Sequence, residues 1–186
     1  MSLRMPKRAF TVEEYDQMVA TGILTEDDRL ELIEGEIIEM AAVGKRRASC
    51  VNLLAESLTE QSNRRFIVSA QNPIQISDLS EPEPDIALLI RREDFYRRQT
   101  PRAEDVLLVV EVSDSSLEHD RRTKLPAYAL AGIPEFWLVN LVEERIEIYT
   151  QPAEGKYTQV VHITSGDKLI SATIPDLALD ADALLA

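Results

Sequence analysis

The chain has 186 residues, 45% hydrophobic and 28% charged with six glycines, which excludes a disordered or fibrous protein and predicts a single domain over residues 1–186. No apolar run approaches the roughly 20 residues a membrane helix needs, and no secretion signal opens the sequence, so no membrane partner and a cytoplasmic location are expected. The net charge of −13 argues against nucleic acid at first sight, but residues 44–124 hold 13 basic and 14 acidic side chains, so the excess acid sits in the flanks.

Thr11 as N-cap and Glu14 as its capping-box partner predict a helix running to about Ala20 and ending near Gly22, with Phe10 stapled onto Tyr15. Arg29 to Met40 alternates apolar and polar residues around Glu34-Gly35, the pattern of a β-hairpin, and places Glu31 on its first strand. Arg47 to Gln61 reads as a second helix carrying the lone cysteine, Cys50, as a buried thiol. With one cysteine and two histidines, His119 and His162, neither an internal disulfide nor a structural zinc cluster is expected.

Three strands follow, at Phe66–Ile76, Asp85–Ile90 and Val106–Ser113. The last is almost entirely branched aliphatic, as a central strand covered on both faces should be. A capping box at Ser115–Glu118 opens a helix toward Ala131 that Pro126 is expected to kink or split, with Lys124 in the first piece. Strands at Glu135–Asn140, Arg145–Thr150 and Tyr157–Ile163 complete a mixed α/β sheet. Neither a phosphate-binding glycine loop nor a G-x-S-x-G elbow is present, which removes support for kinase, dehydrogenase and serine-hydrolase chemistry.

The residue that demands an explanation is Glu111, a carboxylate inside Val106-Leu107-Leu108-Val109-Val110-Glu111-Val112. A buried charge costs several kcal/mol unless it is paired, hydrogen-bonded or bound to a metal. Strand alternation places Leu107, Val109, Glu111 and Ser113 on one face. Antiparallel pairing with the preceding strand would bring Asp85 beside Glu111, and two adjacent carboxylates ask for a cation between them. Asp120, Lys124 and Tyr128 share a helix face that can fold over this strand end, the alternative being a plain Asp120–Lys124 surface pair.

Pro84-Asp85, Glu111-Val112-Ser113, Asp120, Lys124 and Gly132-Ile133-Pro134-Glu135-Phe136-Trp137-Leu138-Val139, with the Leu30–Gly35 hairpin, together resemble the Uma family of restriction-endonuclease-like proteins in the PD-(D/E)XK nuclease superfamily. The resemblance implies a restriction-endonuclease-like core, a mixed β-sheet flanked by helices with an N-terminal helix and hairpin. It implies an endonuclease acting on DNA with Mg²⁺, or Mn²⁺ in its place, and leaves a homodimer possible. Asp85 and Glu111 would bind the metal, with the Val112 carbonyl and Glu31 as further ligands, and Asp85, Glu111 and Lys124 would form the catalytic set. Ser113 stands where the wider superfamily has lysine, and Lys124 on the following helix supplies that charge. Arg47, Arg121 and Arg122 are candidate phosphate contacts. Arg47 occupies a position where similar proteins tend to carry histidine, which puts the reaction itself in question. The alternative reading is a catalytically degenerate nuclease fold serving as an interaction or nucleic-acid-binding module.

Overall fold

A computed structural model describes residues 7–186. Helix α1 (Val12–Ala20) begins with the expected reciprocal capping box between Thr11 and Glu14. The hairpin pairs strand β1 (Leu30–Ile33) with β2 (Glu36–Glu39). Its turn needs positive φ at both Glu34 and Gly35, and at Gly35 a Cβ would lie 2.6 Å from that of Ala9, so only glycine fits. Phe10, Val12, Tyr15 and Leu32 pack helix onto hairpin, and the Tyr15 hydroxyl donates to the Leu30 carbonyl at 3.0 Å.

After helix α2 (Lys45–Ser62) come strands β3 (Phe66–Ala70), β4 (Ile86–Ile90), β5 (Val106–Ser113), β6 (Glu135–Asn140), β7 (Arg145–Ala153) and β8 (Lys156–Ile163). They form one sheet in sequence order, antiparallel except for the parallel pair β5–β6. The crossover between those two strands carries helix α3 (Leu117–His119), a π-helical turn (Asp120–Lys124) and helix α4 (Leu125–Leu130). A small ribbon of β9 (Lys168–Ile170) and β10 (Ala178–Asp180) precedes helix α5 (Ala181–Leu185). Leu108, Val110 and Val112 of β5 join α2 and α5 in one core layer, and Val109 joins Phe136, Leu138 and Tyr128 in the other.

Four local features differ from the sequence-based expectation. Strand β3 stops at Ala70 rather than Ile76, because Gln71 takes a left-handed conformation at φ 53° and Pro73 brings no N–H to the ladder. Strand β4 starts at Ile86, leaving Asp85 just outside it after Pro84. The register between β4 and β5 shifts at Leu88/Leu89, and Leu107 packs with the α2 layer instead of sharing the face of Val109. The capping box expected between Ser115 and Glu118 is not formed: the N-cap of α3 is Ser116, one residue later, and its hydroxyl donates to Asp120 at 2.7 Å.

As expected, the crossover is made of short helical pieces, with Lys124 in the piece ahead of the one that contains Pro126. Pro126 sits in the first turn of α4, where a missing N–H costs least, just after the π turn in which the Leu125 N–H bonds to the Asp120 carbonyl.

The tail is tied to the sheet by Glu135, which is fully buried. Its carboxylate accepts from the Ser171 hydroxyl at 2.8 Å, the backbone N–H of Ala172 and Thr173, the Thr173 hydroxyl and the Trp137 indole. Glu135→Ala strands these donors without solvent to replace the carboxylate. We expect it to lower stability by about 3 kcal/mol or more, seen as a lower urea midpoint with little change in slope.

Candidate active site

The register of β4 against β5 pairs Ile86 with Val110, and continuing it by one residue sets Asp85 opposite Glu111. Both carboxylates are buried, Asp85 at 2% exposure and Glu111 at 1%. Asp85 is fixed from two sides. Its Oδ2 accepts from the Val112 N–H at 2.9 Å and from Arg47 Nε at 3.2 Å, while its Oδ1 accepts from Arg47 Nη2 at 3.0 Å.

Glu111 Oε1 accepts from Lys124 Nζ at 3.0 Å and from the Tyr128 hydroxyl at 2.8 Å. The π turn and α4 therefore do present Asp120, Lys124 and Tyr128 to the strand end, and Lys124 is a buried group rather than half of a surface pair. Asp120 accepts from Ser113 and Ser116. Lys124 Nζ also lies 3.0 Å from Glu31 Oε2 on the hairpin. Glu31 thus joins this side-chain cluster; it accepts from the Glu83 N–H at 3.2 Å, and His119 Nε2 lies 3.6 Å away, beyond a good hydrogen bond.

These contacts set the protonation pattern. Burial drives Glu111 up to about 8 against the pull of Lys124, with Asp120, Asp85 and Glu31 adding to the rise. Burial also opposes charge on Glu31, but Lys124 and the Glu83 N–H, both within bonding distance, hold it below the usual carboxylate range. Lys124 is raised despite burial, because Glu111 and Glu31 favour its ammonium form.

Arg121 bonds to Glu147 and lies 3.6 Å from Glu143, both outside the Asp85–Glu111 cluster, and the exposed Arg122 pairs with Glu118 one helical turn away. Neither lines the cleft beside Asp85. That cleft, about 820 Å³, is bounded by α1, the hairpin and the segment before β4. Arg47, Gln71, Asn72, Glu81, Glu83 and Asp85 line its inner wall. Glu81, Glu83 and Asp85 alternate along an extended Glu-Pro-Glu-Pro-Asp run; that spacing could have shown the acidic wall, which the sequence reading missed.

For a hard divalent cation the oxygen donors are of the right kind. Asp85, Glu111, Glu31 and Asp120 face two cations, Arg47 and Lys124, so ionised carboxylates leave an excess of negative charge. Ser113 turns its carbonyl toward β6, where Leu141 N–H bonds it, so the neighbouring Val112 carbonyl points to the Asp85 side. As arranged, however, no group of three or more His, Cys, Asp or Glu among the described residues could hold a metal ion. Arg47 occupies Asp85, and Lys124 with Tyr128 occupies Glu111.

Comparison with known proteins adds two findings. The profile of the Uma2 family, described as "Putative restriction endonuclease", matches residues 12–182. A crystal structure of "a putative nuclease belonging to DUF820" from Anabaena variabilis ATCC 29413 superposes with a TM-score of 0.72 at 14% identity, covering 95% of this chain and 97% of that one, which establishes the likeness of fold. No curated protein matches the chain. No helix among the described residues is long and apolar enough to cross a membrane.

Glu81 in the cleft wall is buried, and burial together with Asp16 and Glu83 raises it to about 7. The folded state therefore binds a proton that the unfolded chain releases near its ordinary value of 4.5. The stability this adds is fully present below about 4.5 and is lost as the pH rises through about 7. Glu81→Gln should flatten this part of the decline in urea-unfolding free energy measured between these pH values.

Proposed function

The chain belongs to the Uma2 family, and from that membership we propose that it is an endonuclease hydrolysing phosphodiester bonds in DNA, with Mg²⁺ as cofactor and Mn²⁺ able to replace it. The observation that carries the reading is the buried pair Asp85 and Glu111 on adjacent strand ends, with Lys124 3.0 Å from Glu111. Carboxylates and an ammonium group gathered out of solvent beside a cleft are the arrangement that functional sites use to handle charge.

Asp85, Glu111 and the Val112 carbonyl would hold the metal, with Glu31 close behind through Lys124. The metal, when bound, supplies a polarised phosphoryl oxygen and a water of lowered pKa. Lys124 would stabilise the negative charge that builds on the phosphoryl group or orient the attacking water. Tyr128 and Glu31 hold Lys124 and Glu111 in register for that task. Arg47 faces the cleft and would contact phosphate there, while Arg121 and Arg122 would contact the flanking backbone on exchanging their present carboxylate partners.

A second reading, a degenerate nuclease fold acting as a binding module, draws on one observation: Arg47 already neutralises Asp85. Cleavage of plasmid DNA separates the two. Purified protein is expected to nick DNA with Mg²⁺ or Mn²⁺ and to stop in chelator. Asp85→Asn and Glu111→Gln should each remove the activity while circular dichroism stays unchanged. Nicking that survives in either variant would take that residue out of the catalytic set.

DNA binding by the Glu111→Gln protein should weaken as salt rises, with a double-logarithmic slope of about −0.9 per phosphate contact. Replacing Arg121 and Arg122 with alanine should flatten it by about two contacts. An unchanged slope would place both arginines outside the interface.

A further inference from the structure

Asp85 offers two oxygens, and both are taken in the free protein. Arg47 spans them with Nη2 on Oδ1 at 3.0 Å and Nε on Oδ2 at 3.2 Å, and the Val112 N–H takes a further position on Oδ2 at 2.9 Å. The pair is well shielded, with side-chain exposures of 14% and 2%. A divalent ion must approach a carboxylate oxygen to about 2.0–2.1 Å if it is Mg²⁺. It would then meet a guanidinium of like charge on the same carboxylate, so the two cations exclude each other.

Arg47 nevertheless has somewhere else to go. It stands in the first turn of α2, and its side chain lines the cleft beside Gln71, Asn72 and Glu83. Among the cleft-lining residues the basic ones are Arg29 and Arg47, against Asp16, Glu81, Glu83 and Asp85. A phosphodiester entering this acidic cleft needs a cation at its inner end, and the guanidinium fork matches phosphate as well as it matches carboxylate.

We propose that Arg47 is the resident cation of Asp85 in the free protein, and that a nucleic-acid phosphate in the cleft draws it away, opening Asp85 to a divalent ion. The inference rests on the metal-dependent reading given above. Arg47 thereby sets the metal affinity of the site and makes it depend on nucleic acid. Linkage requires the converse as well, so bound metal tightens nucleic acid by the same factor. A histidine at this position, having no fork, would not close the carboxylate in the same way.

The test is a titration of free Mn²⁺ by electron paramagnetic resonance on the full chain, with and without a phosphorothioate DNA oligonucleotide. Wild type, Arg47→His, Arg47→Lys and Asp85→Asn are compared, and the lysine variant keeps a charge beside Asp85 should the histidine variant fold poorly. Without DNA, Arg47→His should bind Mn²⁺ at least about tenfold more tightly than wild type and show a larger Mn²⁺-induced rise in melting temperature, while Arg47→Lys, which keeps the charge but loses the fork, should fall between the two. DNA should tighten Mn²⁺ binding to wild type and have much less effect on Arg47→His. Equal Mn²⁺ affinity in wild type and both Arg47 variants, abolished by Asp85→Asn, would overturn the inference and leave the metal site standing. Absence of Mn²⁺ binding in every form would overturn the inference and the metal-dependent reading together.

Discussion

One ammonium group, that of Lys124, lies 3.0 Å from Glu31 on the hairpin and 3.0 Å from Glu111 on a central strand. Three separate elements of the chain meet at that nitrogen, and each needs the other two. A two-stranded hairpin is marginal alone, and here its inner carboxylate is tolerated in the interior because Lys124 meets it. The same ion set makes a charge inside β5 acceptable where the surrounding strand is aliphatic. Removing one partner of such a buried set typically costs about 3–5 kcal/mol, since the remaining charges cannot reach water. The π turn serves this arrangement: across it Asp120, Lys124 and Tyr128 all reach the end of β5, at Ser113 and Glu111.

Much of this site could be read in the sequence, for reasons that can be named. A lone glutamate in an aliphatic strand is costly, so Glu111 declares itself, and strand pairing points from it to Asp85. Lys124 followed from helical spacing, which the π turn perturbs less than a kink would. What stayed hidden were partnerships between distant segments. Arg47 sits 38 positions before Asp85 and reads locally as one of several basic residues at a helix start. Glu135 reads as the opening residue of a strand, and nothing near it points to Ser171 and Thr173 in the tail. The displaced Leu107 and the shift of the α3 cap from Ser115 to Ser116, whose hydroxyl bonds Asp120, are cases where contact with a neighbour outweighed a local rule.

The charge pattern also reads differently in three dimensions. Several basic groups of the middle segment are engaged by the protein itself. Arg46 donates to the carbonyls of Leu141 and Leu185, Arg65 to those of Pro175 and Gln61, and Arg91 and Arg92 lie over the rings of Phe95 and Tyr96. Most are spent on structure. With an acidic cleft and a net charge of −13, the protein has little long-range field to draw a polyanion in, so recognition of nucleic acid has to come from short-range contacts.

The chain contains one tryptophan, Trp137, and it is fully buried with its indole N–H on Glu135 at 2.6 Å. Because Glu135 also clasps the Ser171–Thr173 segment, the single strong fluorophore of this protein is wired to the docking of its tail and not to the cluster around Asp85. Intrinsic emission is therefore a reporter of whether the tail is seated. Its spectrum will red-shift when water reaches the indole.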